Sequence, residues 1–258
     1  MRRKIFVCLG LGIFFCLSAL AVAAQAQEQE AQLYFVREIM VKPSKVMDYF
    51  EGTTALMAQI KEHKFPYPIN VFRCDDFSVV FSAPLENIAD MQNLGDSWDE
   101  LMAMIGPEQG KKIQDLMDGT SEFREDGLIV LRPDLSYTPE SPRLKPEEVN
   151  FYRWSFAYLL PGKAPEFEET AKKYVPLMKS KNIPDGYVVY QVIMGKELPL
   201  YVLVQGGKNP ADYFSMDYSE TLGEEAQVLQ SKLWSLMRKM EYKNAWIARD
   251  LSYDGPEK

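Results

Sequence analysis

The chain has 258 residues, with 37 acidic against 29 basic side chains, one histidine and three cysteines. An acidic balance disfavours nucleic acid and anionic membranes as partners. So few His and Cys supply no cluster of soft ligands for a metal, and no carboxylates fall at metal-ligand spacing.

The first 26 residues read as a secretory signal. "MRRK" is a basic start, Ile5 to Val22 is an apolar run, and "AVAAQAQ" offers small-x-small cleavage sites after Ala24 or Ala26. An apolar run of this length could also just anchor the chain in a bilayer. The two alanine-rich sites and the polar "QAQEQEAQ" that follows favour removal, and Phe14 and Phe15 before Cys16 argue against lipid attachment. Cleavage after Ala26 removes three basic residues, Cys8 and Cys16, leaving 26 basic against 37 acidic side chains and Cys74 alone. No intramolecular disulfide can then form, so burial must stabilise an exported chain. No Asn-x-Ser/Thr sequon is present, which fits a bacterial periplasmic or secreted protein. After cleavage no membrane segment is expected.

"AQLYFVREIMV" reads as a strand. After Pro43, Val46, Tyr49, Phe50, Thr53, Leu56, Met57 and Ile60 recur at helical spacing. "INVFRC" and "FSVVFSA" form two strands about a tight turn at "DD". A helix from Asn87 to about Met117 is broken near Gly106-Pro107, and "DGLIVLR" is a final strand.

The order then repeats. "VNFYRWSFAYLL" is a strand, Pro165 to Lys181 a helix bent at Pro176, and "GYVVYQVI" with "LPLYVLVQ" a hairpin. Ala226, Leu229, Leu233, Leu236, Met237 and Met240 mark a long helix, and "NAWIARD" closes. Matched segments support a duplication. "RPDLSY" ending at Tyr137 faces "ARDLSY" ending at Tyr253, and "MVKPSK" faces "YLLPGK". "KFPYPINVFR" faces "NIPDGYVVYQ", with Pro66 on Pro184, and insertions such as "GKELP" fall at turns. The reading is a signal over 1–26, a first repeat over 27–137, a linker over 138–150 and a second repeat over 151–258.

Strand-helix-strand-strand-helix-strand is the ferredoxin-like split βαβ order, an α+β fold. Its helices cover one face of the sheet. In the strand at Phe151, Tyr152, Trp154, Phe156 and Tyr158 alternate to one side and Ala157 and Leu159 to the other, so both faces are apolar. The second copy is expected to cover the open face, with the two sheets packed face to face as an intramolecular α-β barrel, complete in a monomer.

Two such units in tandem resemble the dimeric α-β barrel superfamily over Gln32 to Tyr253. The resemblance rests on topology and duplication. "W-x-x-L-M" at Trp98 to Met102 is loosely similar to NIPSNAP-type sequences, and antibiotic-biosynthesis monooxygenases are further members. The resemblance implies that a haem-binding member would need an axial ligand, usually His. The one candidate, His63, falls where a helix C-terminus explains it, so no cofactor is expected.

No glycine-rich phosphate loop or Ser-His-Asp arrangement is present. What remains are charges within strands. Arg37, Glu38 and Arg153 lie in strands expected to be central, where a buried charge needs a partner. One reading makes Arg37 or Arg153 the holder of an anionic or carbonyl-bearing molecule beside Tyr152, Trp154, Tyr158 and Tyr190. Strand alternation turns Arg153 away from Tyr152 and Trp154, so not all can line one pocket. The other reading is structural, with ion pairs fixing register. Arg73, Arg132 and Arg249 are read as strand-end residues, and Cys74 as a small buried hydrophobe. Between the copies, Arg37 corresponds to Ser155, Glu38 to Phe156 and Phe35 to Arg153, so any twofold pair of pockets is now asymmetric. The leading expectation is a metal-free binder of a small aromatic or anionic molecule. The alternatives are a cofactor-independent monooxygenase or isomerase with Glu38 as base, and a structural module without a site.

Overall fold

The structure, a computed structural model, describes residues 31–256, so the segment read as a signal lies outside the described residues. The first half runs β1 (Leu33–Val41), α1 (Val46–Glu62), β2 (Asn70–Cys74), β3 (Ser78–Leu85), α2 (Asp90–Met117) and β4 (Ser121–Leu131). The second runs β5 (Phe151–Leu159), α3 (Ala164–Ala171), α4 (Tyr174–Ser180), β6 (Tyr187–Met194), β7 (Leu200–Gly207), α5 (Pro210–Phe214), α6 (Ser219–Ser235) and β8 (Met237–Ile247). No helix among the described residues is long and apolar enough to cross a membrane.

The eight strands close into one antiparallel barrel in the order β1-β3-β2-β8-β5-β7-β6-β4. The expected barrel is present, and edge pairing that the face-to-face expectation did not include closes it. The sheets of the two halves join by their edges, through Phe72–Cys74 on Ala245–Ile247 and Leu128–Leu131 on Tyr190–Met194. An edge strand carries a row of unpaired N–H and C=O groups, and closure satisfies them where simple stacking would not. The uncovered faces then become the barrel lining.

The helices pack outside. Tyr49, Met57 and Ile60 of α1 and Leu101 and Ile113 of α2 bury themselves on Val41, Val71 and Val79. Phe167 and Met178 of α3 and α4 meet Ala157, Leu159, Val189 and Tyr201. Strand side chains alternate, so these outward residues leave their even-numbered neighbours on β1, β2, β3, β5, β6 and β7 pointing inward.

Three element boundaries differ from expectation. β4 starts at Ser121 and β8 at Met237, because both run on beyond the neighbours that would pair them on one side. Met237 and Met240, whose spacing suits a helix, are therefore strand residues. The helix expected over Pro165 to Lys181 is two helices parted at Lys172–Lys173. Pro176, in the first turn of α4, has no N–H for the carbonyl of Lys172, so the break precedes the proline.

Candidate functional site

The barrel encloses a cavity of about 400 Å³. β1 and β5 lie four strands apart in an antiparallel barrel and so run in the same direction, β1 turning Tyr34, Val36 and Glu38 inward and β5 turning Tyr152, Trp154 and Phe156 inward. All six line the cavity. Around Tyr34 and Tyr152, rings meet in near-perpendicular pairs. Tyr34 contacts Tyr190 with centroids 5.8 Å apart, and Phe72 contacts Tyr152 at 5.5 Å and Trp154 at 5.3 Å. Ile129, Val192, Val202 and Val204 complete an apolar middle.

The other end is polar. Glu38, 8% exposed, is ion-paired with Lys243 of β8 and with Lys196 of the β6–β7 turn, the latter at 2.5 Å. Lys243 also reaches Asp76 at 2.8 Å and donates to Ser78 Oγ at 2.9 Å. Lys196 lies 3.8 Å from Glu125 and 5.6 Å from the ring centroid of Phe156. Burial pushes the Glu38 carboxyl up, but the attraction and hydrogen bonds of Lys243 and Lys196 outweigh it and hold the group below the usual carboxylate range. Burial pulls Lys243 down, and Glu38 and Asp76 reverse that, so its ammonium titrates above its ordinary value. Glu38 is an ionised, doubly paired carboxylate. A general base needs the opposite, a pKa raised toward neutrality.

Of the residues singled out in the sequence, Glu38, Tyr152, Trp154 and Tyr190 meet in the cavity. Arg37 does not. It sits on the outer face, in a two-point bond to Asp126 at 2.7 and 2.9 Å. Arg153 also lies outside, donating to Asn244 Oδ1 at 2.8 Å with its guanidinium 4.4 Å from the Tyr242 centroid. Both occupy odd-numbered positions of strands whose even positions face inward, so neither can hold a ligand in the barrel. Tyr158 is buried among the inner apolar residues but does not line the cavity, and Lys239 and Arg238 stand 4.8 and 5.5 Å from its ring centroid. Arg132 pairs with Asp134 and Glu168, Arg73 with Asp250, and Arg249 donates to the Glu147 and Val149 carbonyls. Burial pushes the Cys74 thiol up to about 12, which keeps it protonated and a poor nucleophile.

Sequence reasoning missed Tyr34, Phe72, Lys196 and Lys243. The repeat offset of 118 that aligns Pro66 with Pro184 also sets Tyr34 on Tyr152 and Phe72 on Tyr190, so the aromatic partners were there to be read. Lys196 lies in the inserted "GKELP". Lys243 was hidden by the misplaced start of β8.

No family model and no curated protein sequence matches the chain. Solved structures do. An anthrone oxidase-like protein superposes with a TM-score of 0.57 at 8% identity, over 86% of this chain and 93% of its own. A candidate monooxygenase from Fusobacterium nucleatum gives 0.53 at 9%, over 88% and 96%. Another from Lactobacillus acidophilus gives 0.50 at 11%, over 88% and 99%. The chain shares its fold with these structures. At these identities the likeness extends to the fold alone. Haem in such a barrel would call for an axial imidazole, and the cavity wall carries neither His nor Cys. His63 caps the C-terminus of α1, outside the wall. Among the described residues no group of three His, Cys, Asp or Glu is placed to hold a metal.

Proposed function

We propose that this chain binds one small, uncharged aromatic molecule inside its barrel. The observation that carries the reading is the cavity of about 400 Å³, walled mainly by aromatic and aliphatic side chains, at whose charged end both lysines are already held by carboxylates. Ligand pockets typically span roughly 300–1,000 Å³ and are mainly apolar with a few placed polar groups. The anionic ligand expected from Arg37 and Arg153 loses its support, since both lie outside the barrel. At the polar end, Glu38, Asp76 and Glu125 face two lysines, so an added anion would meet no unpaired cation.

The second reading is cofactor-independent oxygenase or isomerase chemistry. It draws support from the names of the fold relatives. The ionised, doubly paired state of Glu38 opposes that residue as the base. The cavity opposes a purely structural module. The two halves are, on this account, tandem ferredoxin-like repeats fused from a duplicated unit, and the protein is exported with its barrel complete in one chain.

Calorimetric titration with a neutral and an anionic naphthalene tests the proposal. 2-Acetonaphthone is expected to bind one per chain and 2-naphthoate at least tenfold more weakly, since burying an unpaired carboxylate is costly. Equal or stronger binding of the carboxylate would refute the uncharged-ligand reading.

A further inference from the structure

We propose that Tyr34, Tyr152 and Tyr190 form a set of hydrogen-bond donors that selects ligands bearing an oxygen acceptor, such as aromatic ketones, over hydrocarbons of the same size. The inference rests on the binding function proposed above and names what the cavity reads in its ligand.

The three phenols come from β1, β5 and β6 and line one end of the cavity. Among the described residues none of their hydroxyls has a hydrogen-bond partner. Buried tyrosines elsewhere in the chain are of two kinds, and the Tyr49 and Tyr253 hydroxyls are sealed in without a partner. Tyr137 donates to the Ile183 carbonyl, Tyr174 to the Ala226 carbonyl and Tyr201 to Glu168. A tyrosine buried in a protein normally finds such a partner. Unlike Tyr49 and Tyr253, whose hydroxyls are sealed in the packing, Tyr34, Tyr152 and Tyr190 open onto one apolar cavity, where they are donors for something that enters it.

Their protonation suits the task. Burial raises the pKa of each, and the nearness of Tyr34 and Tyr152 raises Tyr190 further. All three therefore remain O–H donors at any ordinary pH. The other polar groups at hand are committed. Lys196 and Lys243 are engaged by carboxylates, and Arg249, whose charge acts on the Tyr152 phenol, donates to two backbone carbonyls. An acceptor on the ligand is thus met by phenols and not by a cation. The set is one-sided, because the counterpart of Tyr190 in the first half is Phe72, which has no hydroxyl. A ligand is expected to lie with its oxygen toward Tyr34, Tyr152 and Tyr190 and its hydrocarbon body toward Trp154 and Val202.

A hydrocarbon in the same space leaves buried hydroxyls unpaired, which is the more costly case. The test measures binding of 2-acetonaphthone and 2-ethylnaphthalene to wild type, to each single Tyr→Phe variant, and to the triple variant Y34F/Y152F/Y190F. Thermal melts establish that each variant is folded, and the single variants carry the test if the triple is not. Wild type is expected to prefer the ketone by about tenfold. The triple variant should lose that preference, binding the ketone more weakly and the hydrocarbon equally or more tightly. Equal affinity of wild type for both probes, or a preference that survives in the triple variant, would overturn the inference while leaving the cavity a binding site. If wild type takes up neither probe, the proposed function fails and the inference falls with it.

Discussion

Glu38 shows how far a single residue can be read before its surroundings are known. Mid-strand between Arg37 and Ile39, it had to be buried, and a buried carboxylate must be paired or be serving a reaction. Two lysines settle its state as ionised. Glu38→Gln keeps the shape, removes the charge and leaves Lys243, whose side chain is 11% exposed, with Asp76 alone. We expect a loss of about 3 kcal/mol in urea denaturation at pH 7. The effect should follow pH. Glu38 titrates below its unfolded value, so its stabilisation is complete above a pH of about 4.3 and disappears as the pH falls through the lower folded pKa. Lys243 is raised, so its share is complete below a pH of about 10.4 and is lost as the pH climbs through the folded value. The gap between wild type and Glu38→Gln should therefore be widest from about pH 5 to pH 10 and narrow on further acidification. A gap that stays constant down to pH 3 would show that the charge is not what stabilises.

The lysines themselves differ. Lys196 is 30% exposed and sits in a turn, whereas Lys243 is held by Glu38, Asp76 and Ser78. Lys243→Met is expected to cost about 3 kcal/mol, because it strips Glu38 and Asp76 of their shared cation. Lys196→Met should cost roughly 1 kcal/mol, since Glu38 keeps Lys243. Equal losses in parallel denaturation curves would show that the two lysines are equivalent.

At the scale of elements, the strands were legible wherever one face of a strand differed from the other. Tyr152, Trp154, Phe156 and Tyr158 read correctly as a single face of β5, and the kink of α2 was legible in Gly106-Pro107, where Gly106 has a φ of 76°. Two things were not legible. The first was the early start of β8, since Leu233, Leu236, Met237 and Met240 keep a helical spacing even as the chain turns to strand. The second was the edge pairing that closes the barrel, because hydrogen bonds between backbones leave no side-chain signature. One glycine marks that seam. A Cβ on Gly127 would stand 2.9 Å from the Met194 carbonyl oxygen, and backbone cannot yield cheaply. Gly127→Ala is expected to destabilise by about 2 kcal/mol. Gly95, inside α2 with nothing within 4 Å of the added atom, is the control. Gly95→Ala should be neutral or stabilise by up to about 1 kcal/mol. If the two variants melt alike, β4 and β6 are not packed as closely as described.

For the whole molecule, each half of the chain contributes four strands, and the barrel closes within one chain. The aromatic pairs Tyr34–Tyr190 and Phe72–Tyr152 occupy corresponding positions of the two halves, whereas the position that holds Glu38 in the first half holds Phe156 in the second, so the two sides of the cavity differ. The polar end is built from Glu38, which faces Phe156 when the halves are compared, from Lys196 in the inserted turn and from Lys243, so likeness between the halves could not point to it. Light scattering is expected to give the mass of a single chain. Dimers alone, with each half's strands exchanged between chains, would set aside the monomeric barrel. The central claim, that the barrel holds a small uncharged aromatic molecule, is tested most directly by native mass spectrometry of protein purified from its own host, beside a Val36→Trp variant that fills the cavity. The account predicts that wild type carries one such molecule per chain, non-covalently, and that folded Val36→Trp carries none. Wild type that arrives bare, and remains bare after 2-acetonaphthone is added, would contradict it.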